Sequence, residues 1–373
     1  TKRPDAAGII DWNLSSEVLE ATVRALSYQP DANPIGSAKV LFADQYYLLL
    51  EAAVLSDVSS AEAGVIQSIS NDGIAVSTGT SQLLIKSLSS LDGTPVEVNS
   101  LVSECGLKVG GQLTQFDTAQ RQLIHDLDHR CGKSEKFWLK RLETLTPYAL
   151  AQELSNPESK IDNQTIAASF DQSLAAQLQE KLQLDLSDQA SGSQTNINLL
   201  CALFACFLMR TIDSAGSDDA VQSFDLGVDA NAELAASPLL QGLFASRLPL
   251  RVAVDQQATV KAGLQAVISS LNEVNRKGGY IRDLPARAIT AVSTVLPVAV
   301  EATGTNTADS QADVLTLLVS DSDEKIQWRF NAASLSAESA AQIDRSFAVF
   351  LQQVLANADQ KLADIAVIDK PEQ

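Results

Sequence analysis

Two histidines are the whole imidazole complement of this 373-residue chain, and they stand four residues apart, at His125 and His129. On a helix that spacing puts both rings on one face, where they could hold a zinc ion with Asp128, Asp126 or Cys131 as further ligands. Asp126 stands where an HExxH motif has Glu, and two solvated histidines on a polar helix need no metal, so surface histidines are the expectation. The glycine pairs Gly110-Gly111 and Gly278-Gly279 lack the Lys-Ser/Thr that follows in a phosphate loop, and read as turns. No Gly-x-Ser-x-Gly elbow occurs. Lys136, Lys140 and Arg141 with Phe137 and Trp138 form a small basic and aromatic face. Such a face hints at nucleic acid, but in an acidic chain packing beside solvated cations is the expectation. Arg247 and Arg251 flank Pro249 on an expected strand and are expected to pair with neighbouring acids. Asp283 and Arg287 are spaced to clasp each other at a helix start.

The elements that must position these residues belong to an ordinary globular chain. It is 45% hydrophobic and 20% charged, enough to build two or three domains, with only 5% aromatic residues, so aliphatic side chains must fill the core. The net charge is −19, and its spread along the sequence reads as solubility. Such a field repels phosphate backbones and anionic lipid, which weighs against nucleic acid and membrane partners. Cys105, Cys131, Cys201 and Cys206 form no CxxC pair and read as buried thiols of a reducing cytosol. Residues 198–212 are too short and too rich in Cys and Ala to span a bilayer, and no signal segment opens the chain, so a cytoplasmic location is expected.

Ser15 and Ser16 before Glu17 and Glu20 mark a helix start, and Leu19, Val23 and Leu26 share one face of that helix. Short strands are expected over 38–42, 46–53, 65–70, 74–78 and 82–88, with Asn71-Asp72-Gly73 as a hairpin turn. Strands of this kind suit a small β-barrel. A helical stretch over 117–145, broken near Gly132, comes next, and 154–163 reads as a loop. Beyond it strands are expected over 165–170, 247–252 and 325–331 and helices over 174–184 and 340–355.

Lys2-Arg3-Pro4, Ile10-Asp11-Trp12, Arg24-Ala25-Leu26 and Pro30, with Leu107-Lys108-Val109-Gly110-Gly111-Gln112-Leu113 closing the block, resemble the C-terminal domain of methionyl-tRNA formyltransferases. Phe137-Trp138 with Lys140-Arg141-Leu142 resembles the Tyr-Trp-x-x-x-Leu signature of nonribosomal peptide synthetase condensation domains. Gly242-Leu243-Phe244 and Arg247-Leu248-Pro249-Leu250-Arg251-Val252 resemble the Gly-x-Phe-x-Asn-x-x-Pro-Leu-Arg segment of the same family, and 362–368 its final stretch, and the resemblance implies a buried helix over 196–209, a strand near 222–227 and a helix over 260–275. The two resemblances imply an α+β chain: a small OB-like β-barrel domain over 1–114, a helical connector over 115–147, and a single chloramphenicol-acetyltransferase-like (condensation C-lobe) α/β sandwich over 148–373.

The formyltransferase resemblance implies an Asn-His-Asp set and a folate loop in a domain that would come before Thr1. The condensation resemblance implies a His-His-x-x-x-Asp-Gly motif in a first lobe. Neither set is found in the sequence, and His125-Asp126-Leu127-Asp128-His129 lacks the second spacing. The expectation is therefore no catalytic, cofactor-binding or metal residues and no cofactor, hence no activity of the chain on its own. The start at Thr1 without Met reads as a piece of a longer synthetase. The function expected is a non-catalytic scaffold of a formyltransferase-containing assembly line. Its expected partners are adenylation and carrier-protein domains with their phosphopantetheine arm, and a formyltransferase catalytic domain. One alternative is an accessory carrier-binding part of a formyl or acyl transferase. A tRNA-binding module ranks last, because residues 1–100 hold five Lys/Arg against twelve Asp/Glu.

Overall fold

The computed structural model describes residues 3–28, 31–57, 61–150, 162–184, 192–212, 222–230, 240, 242–288, 292–303, 314–320 and 326–367. Pro30 of the formyltransferase pattern and nearly all of the loop expected over 154–163 lie outside them. The chain forms two compact units: Thr1–Glu143 with Ala236–Ala245 and Gly278–Thr294, and Thr144–Ala235 with Ser246–Lys277 and Val295–Gln373.

In the first unit, Ser15 caps helix α1 (Ser16–Leu26) by accepting the Val18 amide, and Leu19, Val23 and Leu26 face inward. The strands are β1 (Lys39–Phe42), β2 (Gln45–Leu55), β3 (Ile66–Ser70), β4 (Gly73–Ser77), β5 (Gln82–Ser90) and β6 (Pro95–Val96). They pair antiparallel in the order β1-β2-β5-β4-β3, with β6 on β5, and this path does not close on itself among the described residues. The β3–β4 hairpin turns at Asn71 and Asp72; Gly73 follows with φ 138°, and a Cβ there would run into the Ile85 carbonyl. Bulges in β2 around Glu51 add twist to the long β2–β5 pair. Trp12, Leu19, Phe42, Ile66, Ile74 and Leu83 belong to one core. Helices α2 (Val98–Glu104), α3 (Thr118–Gly132) and α4 (Glu135–Glu143) follow. A reciprocal Asp117–Gln120 capping box starts α3, and α3 and α4 are separated at Lys133-Ser134, just past Gly132.

In the second unit a mixed sheet has the order β7-β12-β11-β10-β8-β9, where β7 is Asn163–Ala167, β8 Ser223–Asp229, β9 Arg247–Ala253, β10 Val298–Ala302, β11 Leu315–Val319 and β12 Ile326–Asn331. The β8–β10 and β10–β11 pairs are parallel and the rest antiparallel. Four helices accompany it: α5 (Gln172–Leu182), α6 (Gly192–Thr211), α7 (Val260–Lys277) and α8 (Ala337–Ala356). Helix α6 is buried all round from Asn198 to Met209, as its unbroken apolar sequence requires, and packs on α5, α7 and α8. Strand alternation puts Leu226, Leu250, Val300, Leu317 and Trp328 on one face of the sheet. The same register gives the other face Asp225, Asp229, Arg247, Arg251, Glu301 and Arg329. No helix among the described residues is long and apolar enough to cross a membrane.

Candidate functional site

Lys39 opens β1 inside the apolar run Ala38-Lys39-Val40-Leu41-Phe42, and its side chain has no exposed surface. A buried ammonium brings three donors that each need an acceptor. It finds Asp283 Oδ2 at 2.7 Å, the Ala7 carbonyl at 2.9 Å and the Ser37 carbonyl at 3.0 Å. The Ala7 carbonyl is aimed by the turn Asp5–Gly8, in which Ala6, Ala7 and Gly8 all take positive φ (43°, 57° and 82°). Two successive left-handed alanines are a strained arrangement that the surroundings must impose. A Cβ on Gly8 would strike the Ser37 carbonyl.

Asp283 also accepts the Ser37 amide at 3.3 Å and Arg287 Nε at 3.1 Å. Burial alone would raise its pKa, but the adjacent Arg287 and Lys39 outweigh it and bring the carboxyl down to about 2. Arg287 reaches on to the Asn33 carbonyl and to Glu135, and Glu135 in turn accepts from Arg3 Nη2 at 2.9 Å. Desolvation opposes ionisation of Glu135 too, and Arg3 and Arg287 nevertheless hold it below the ordinary carboxylate range. Arg3 finally grips Asp128 with a two-pronged contact, at 2.8 and 2.7 Å. Gly132 leaves room for that guanidinium, since a Cβ there would lie 3.1 Å from Arg3 Nη1. The result is a run of alternating charge, Lys39–Asp283–Arg287–Glu135–Arg3–Asp128, drawn from five parts of the sequence. Charges matched so completely can hold segments together.

The other residues singled out in the sequence are placed as follows. His125 Nδ1 lies 3.1 Å from Asp5 Oδ1 and its ring 4.8 Å from that of His129. Cys131 is buried, which foremost pushes its thiol up to about 12, and Asp128 adds to this. Among the described residues no group of three or more His, Cys, Asp and Glu is placed to hold a metal ion. Trp138 is fully buried on α4 between Phe137 (4.9 Å) and Tyr280 (5.5 Å), with Arg141 over the Phe137 ring at 5.2 Å. Burial likewise raises the thiols of Cys201 and Cys206.

Asp283 and Arg287 do meet, and sequence reading paired them; it missed Lys39 and Glu135, offered Asp128 only as a metal ligand and used Arg3 only in a family pattern. A lone cation in an apolar strand was the available signal for Lys39, and an acid beside Leu127 on the buried side of α3 the signal for Asp128. In the second unit Arg251 pairs with Asp225 through Nε (2.7 Å) and Nη2 (2.9 Å), while Asp225 also accepts the Thr146 amide. Arg247 Nε (3.1 Å) and Arg329 Nη2 (2.8 Å) converge on Glu301. Gly227 makes way for Arg247, whose Cδ would lie 2.6 Å from a Cβ added there.

The family model described as formyl transferase, C-terminal domain, matches residues 4–105. No curated protein matches the chain. The solved structures that align with the chain include condensation domains. A mutant starter condensation domain of rhizomide synthetase RzmA aligns at 15% identity and a TM-score of 0.47, over 77% of this chain and 68% of that one. The X-domain in complex with OxyB from teicoplanin biosynthesis aligns at 13% and 0.45, over 79% and 72%. AB3403, a four-domain nonribosomal peptide synthetase, aligns at 13% and 0.47, over 72% of this chain and 23% of that one.

Proposed function

We propose that this chain is a non-catalytic scaffold region of a formyltransferase-containing, nonribosomal peptide synthetase-like assembly line, serving adenylation and carrier-protein domains. The observation that carries the proposal is the ionic clasp. Residues of the formyltransferase-type segment, Arg3 and Lys39, share one buried charge network with Asp283 and Arg287, which follow the condensation-like Gly242-Leu243-Phe244 and 247–252 motifs in sequence. Charged side chains of the first unit thus act on the chain itself. We read residues 1–114 as an OB-like barrel. Support comes from the bulged β2–β5 pair and from edge contacts beyond the sheet proper: the Ile10 amide on the Lys39 carbonyl (2.9 Å) and the Ile66 amide on the Gly111 carbonyl (2.9 Å). Residues 115–147 then serve as the connector and 148–373 as the condensation-lobe-like region, whose segments 236–245 and 278–294 fold with the first unit.

The test is titration of the whole chain with an adenylation–carrier didomain bearing a phosphopantetheine arm, by calorimetry, alongside an assay for consumption of formyl-tetrahydrofolate. Association without consumption is the expected result. Turnover of the formyl donor by the chain alone, or no association with the didomain, overturns the proposal.

A further inference from the structure

His125 and His129 stand one turn apart on α3 with their ring centres 4.8 Å apart. His125 Nδ1 faces Asp5 Oδ1 at 3.1 Å. Among the described residues, neither His125 Nε2 nor either ring nitrogen of His129 has a hydrogen bond or ion pair. A carboxylate beside Nδ1 favours the proton there and leaves the Nε2 lone pair available. A metal–nitrogen bond of about 2.0–2.1 Å puts the centre of an imidazole about 3.2 Å from the ion. Two rings on one ion, at angles between square and tetrahedral, then have centres roughly 4.5–5.2 Å apart. The observed 4.8 Å lies inside that range. The other ligands that the sequence offered are engaged elsewhere or enclosed: Asp128 by Arg3, Asp126 by the Gln122 side-chain amide at 2.9 Å, and Cys131 by burial. His129 is exposed and His125 keeps 23% of its side-chain surface, so an ion reaches the pair from solvent. Arg121, one turn earlier, is directed at Asp5, Asp11 and the Ile9 carbonyl, and the net charge of −19 draws cations to the chain.

We propose that His125 and His129 form a two-imidazole site for a divalent transition-metal ion of the zinc class, with water in the remaining positions and Asp5 orienting His125. Imidazole and water together suit zinc, nickel or copper, whereas magnesium and calcium require oxygen ligands. Two protein ligands give a site of moderate affinity, filled and emptied as the free ion rises and falls. The site lies within the first unit. Through Asp5 and His125 it joins α3 to the turn Asp5–Gly8, whose Ala7 carbonyl receives Lys39. It stands independently of the assembly-line reading.

The test reads the imidazoles directly. The full-length chain, free of any affinity tag and labelled with nitrogen-15 at histidine, is titrated by NMR with zinc chloride alone at about pH 7.5. The sequence holds only two histidines, so His129→Gln assigns both signals. Both rings should shift together and saturate at one equivalent of zinc, with a Kd in the micromolar range. His125→Gln and His129→Gln should each weaken binding at least about tenfold, and Asp5→Asn several-fold. His129 is exposed, and replacing it leaves no buried group unpaired, so this variant keeps the fold against which the loss is read. A shift of one ring alone, an affinity unchanged in His129→Gln, or no saturation below millimolar zinc means an adventitious ion only and overturns the proposal. Equal affinity in Asp5→Asn overturns the orienting role of Asp5.

Discussion

Lys39 and Asp283 show how a charge is kept inside a protein: by matching each of its hydrogen-bonding directions before any solvent is needed. Removing one partner leaves the other buried without its counter-charge, so Asp283→Asn should cost about 3–5 kcal/mol. Lys39→Met combined with Asp283→Asn should cost less than the two single changes added together, a coupling that urea unfolding of the four chains would measure. Because the Asp283 carboxyl is lowered to about 2, its contribution is present above the ordinary aspartate range and is lost as pH falls from about 4 towards 2. At full size it is on the order of 2–3 kcal/mol. The Asp283–Arg287 half of this site was legible because the two residues lie one helical turn apart. Lys39 finds its counter-charge hundreds of positions away, and no local pattern encodes such a pairing.

Among the elements, legibility followed periodicity. The β3–β4 hairpin and α1 stood out through turn chemistry or a consistent apolar face, and α6 and α7 through the order of features shared with condensation domains. Strands β10 and β11 went unread, although they lie at the centre of the second sheet. Val298–Ala302 and Leu315–Val319 are almost continuously buried, so the alternation that marks a half-exposed strand is missing from them. Helix α8 is held by a polar contact as well as by packing. Buried Asp344 accepts the Trp328 indole N–H at 2.8 Å and the Ser169 amide at 3.0 Å, and the Trp328 ring packs against those of Phe204 and Phe347. Asp344→Ala would strand both donors and should lower stability by about 2–4 kcal/mol. Trp328→Phe removes one donor together with its need and should cost less. Unfolding midpoints in urea would rank the two; the reverse order would mean that packing, rather than the carboxylate, anchors α8.

For the whole molecule the dominant quantity is the net charge of −19. A gel-shift assay with tRNA at low salt should show no retardation, because the acidic excess repels phosphate and Arg3, Lys39 and Arg287 are already held in internal pairs. Retardation that weakens steeply with salt would reinstate a nucleic-acid role for residues 1–114. The clasp has a temporal side as well. The Ser37 amide and Asp283 are separated by 246 positions, and the Asn33 carbonyl and Arg287 by 254. Synthesis runs from the N-terminus, so β1 to β6 leave the ribosome long before the acid that neutralises Lys39 has been made. Through that interval the first unit lacks the acid that offsets the burial of Lys39. Its completion waits on codons that lie beyond most of the next unit's helices.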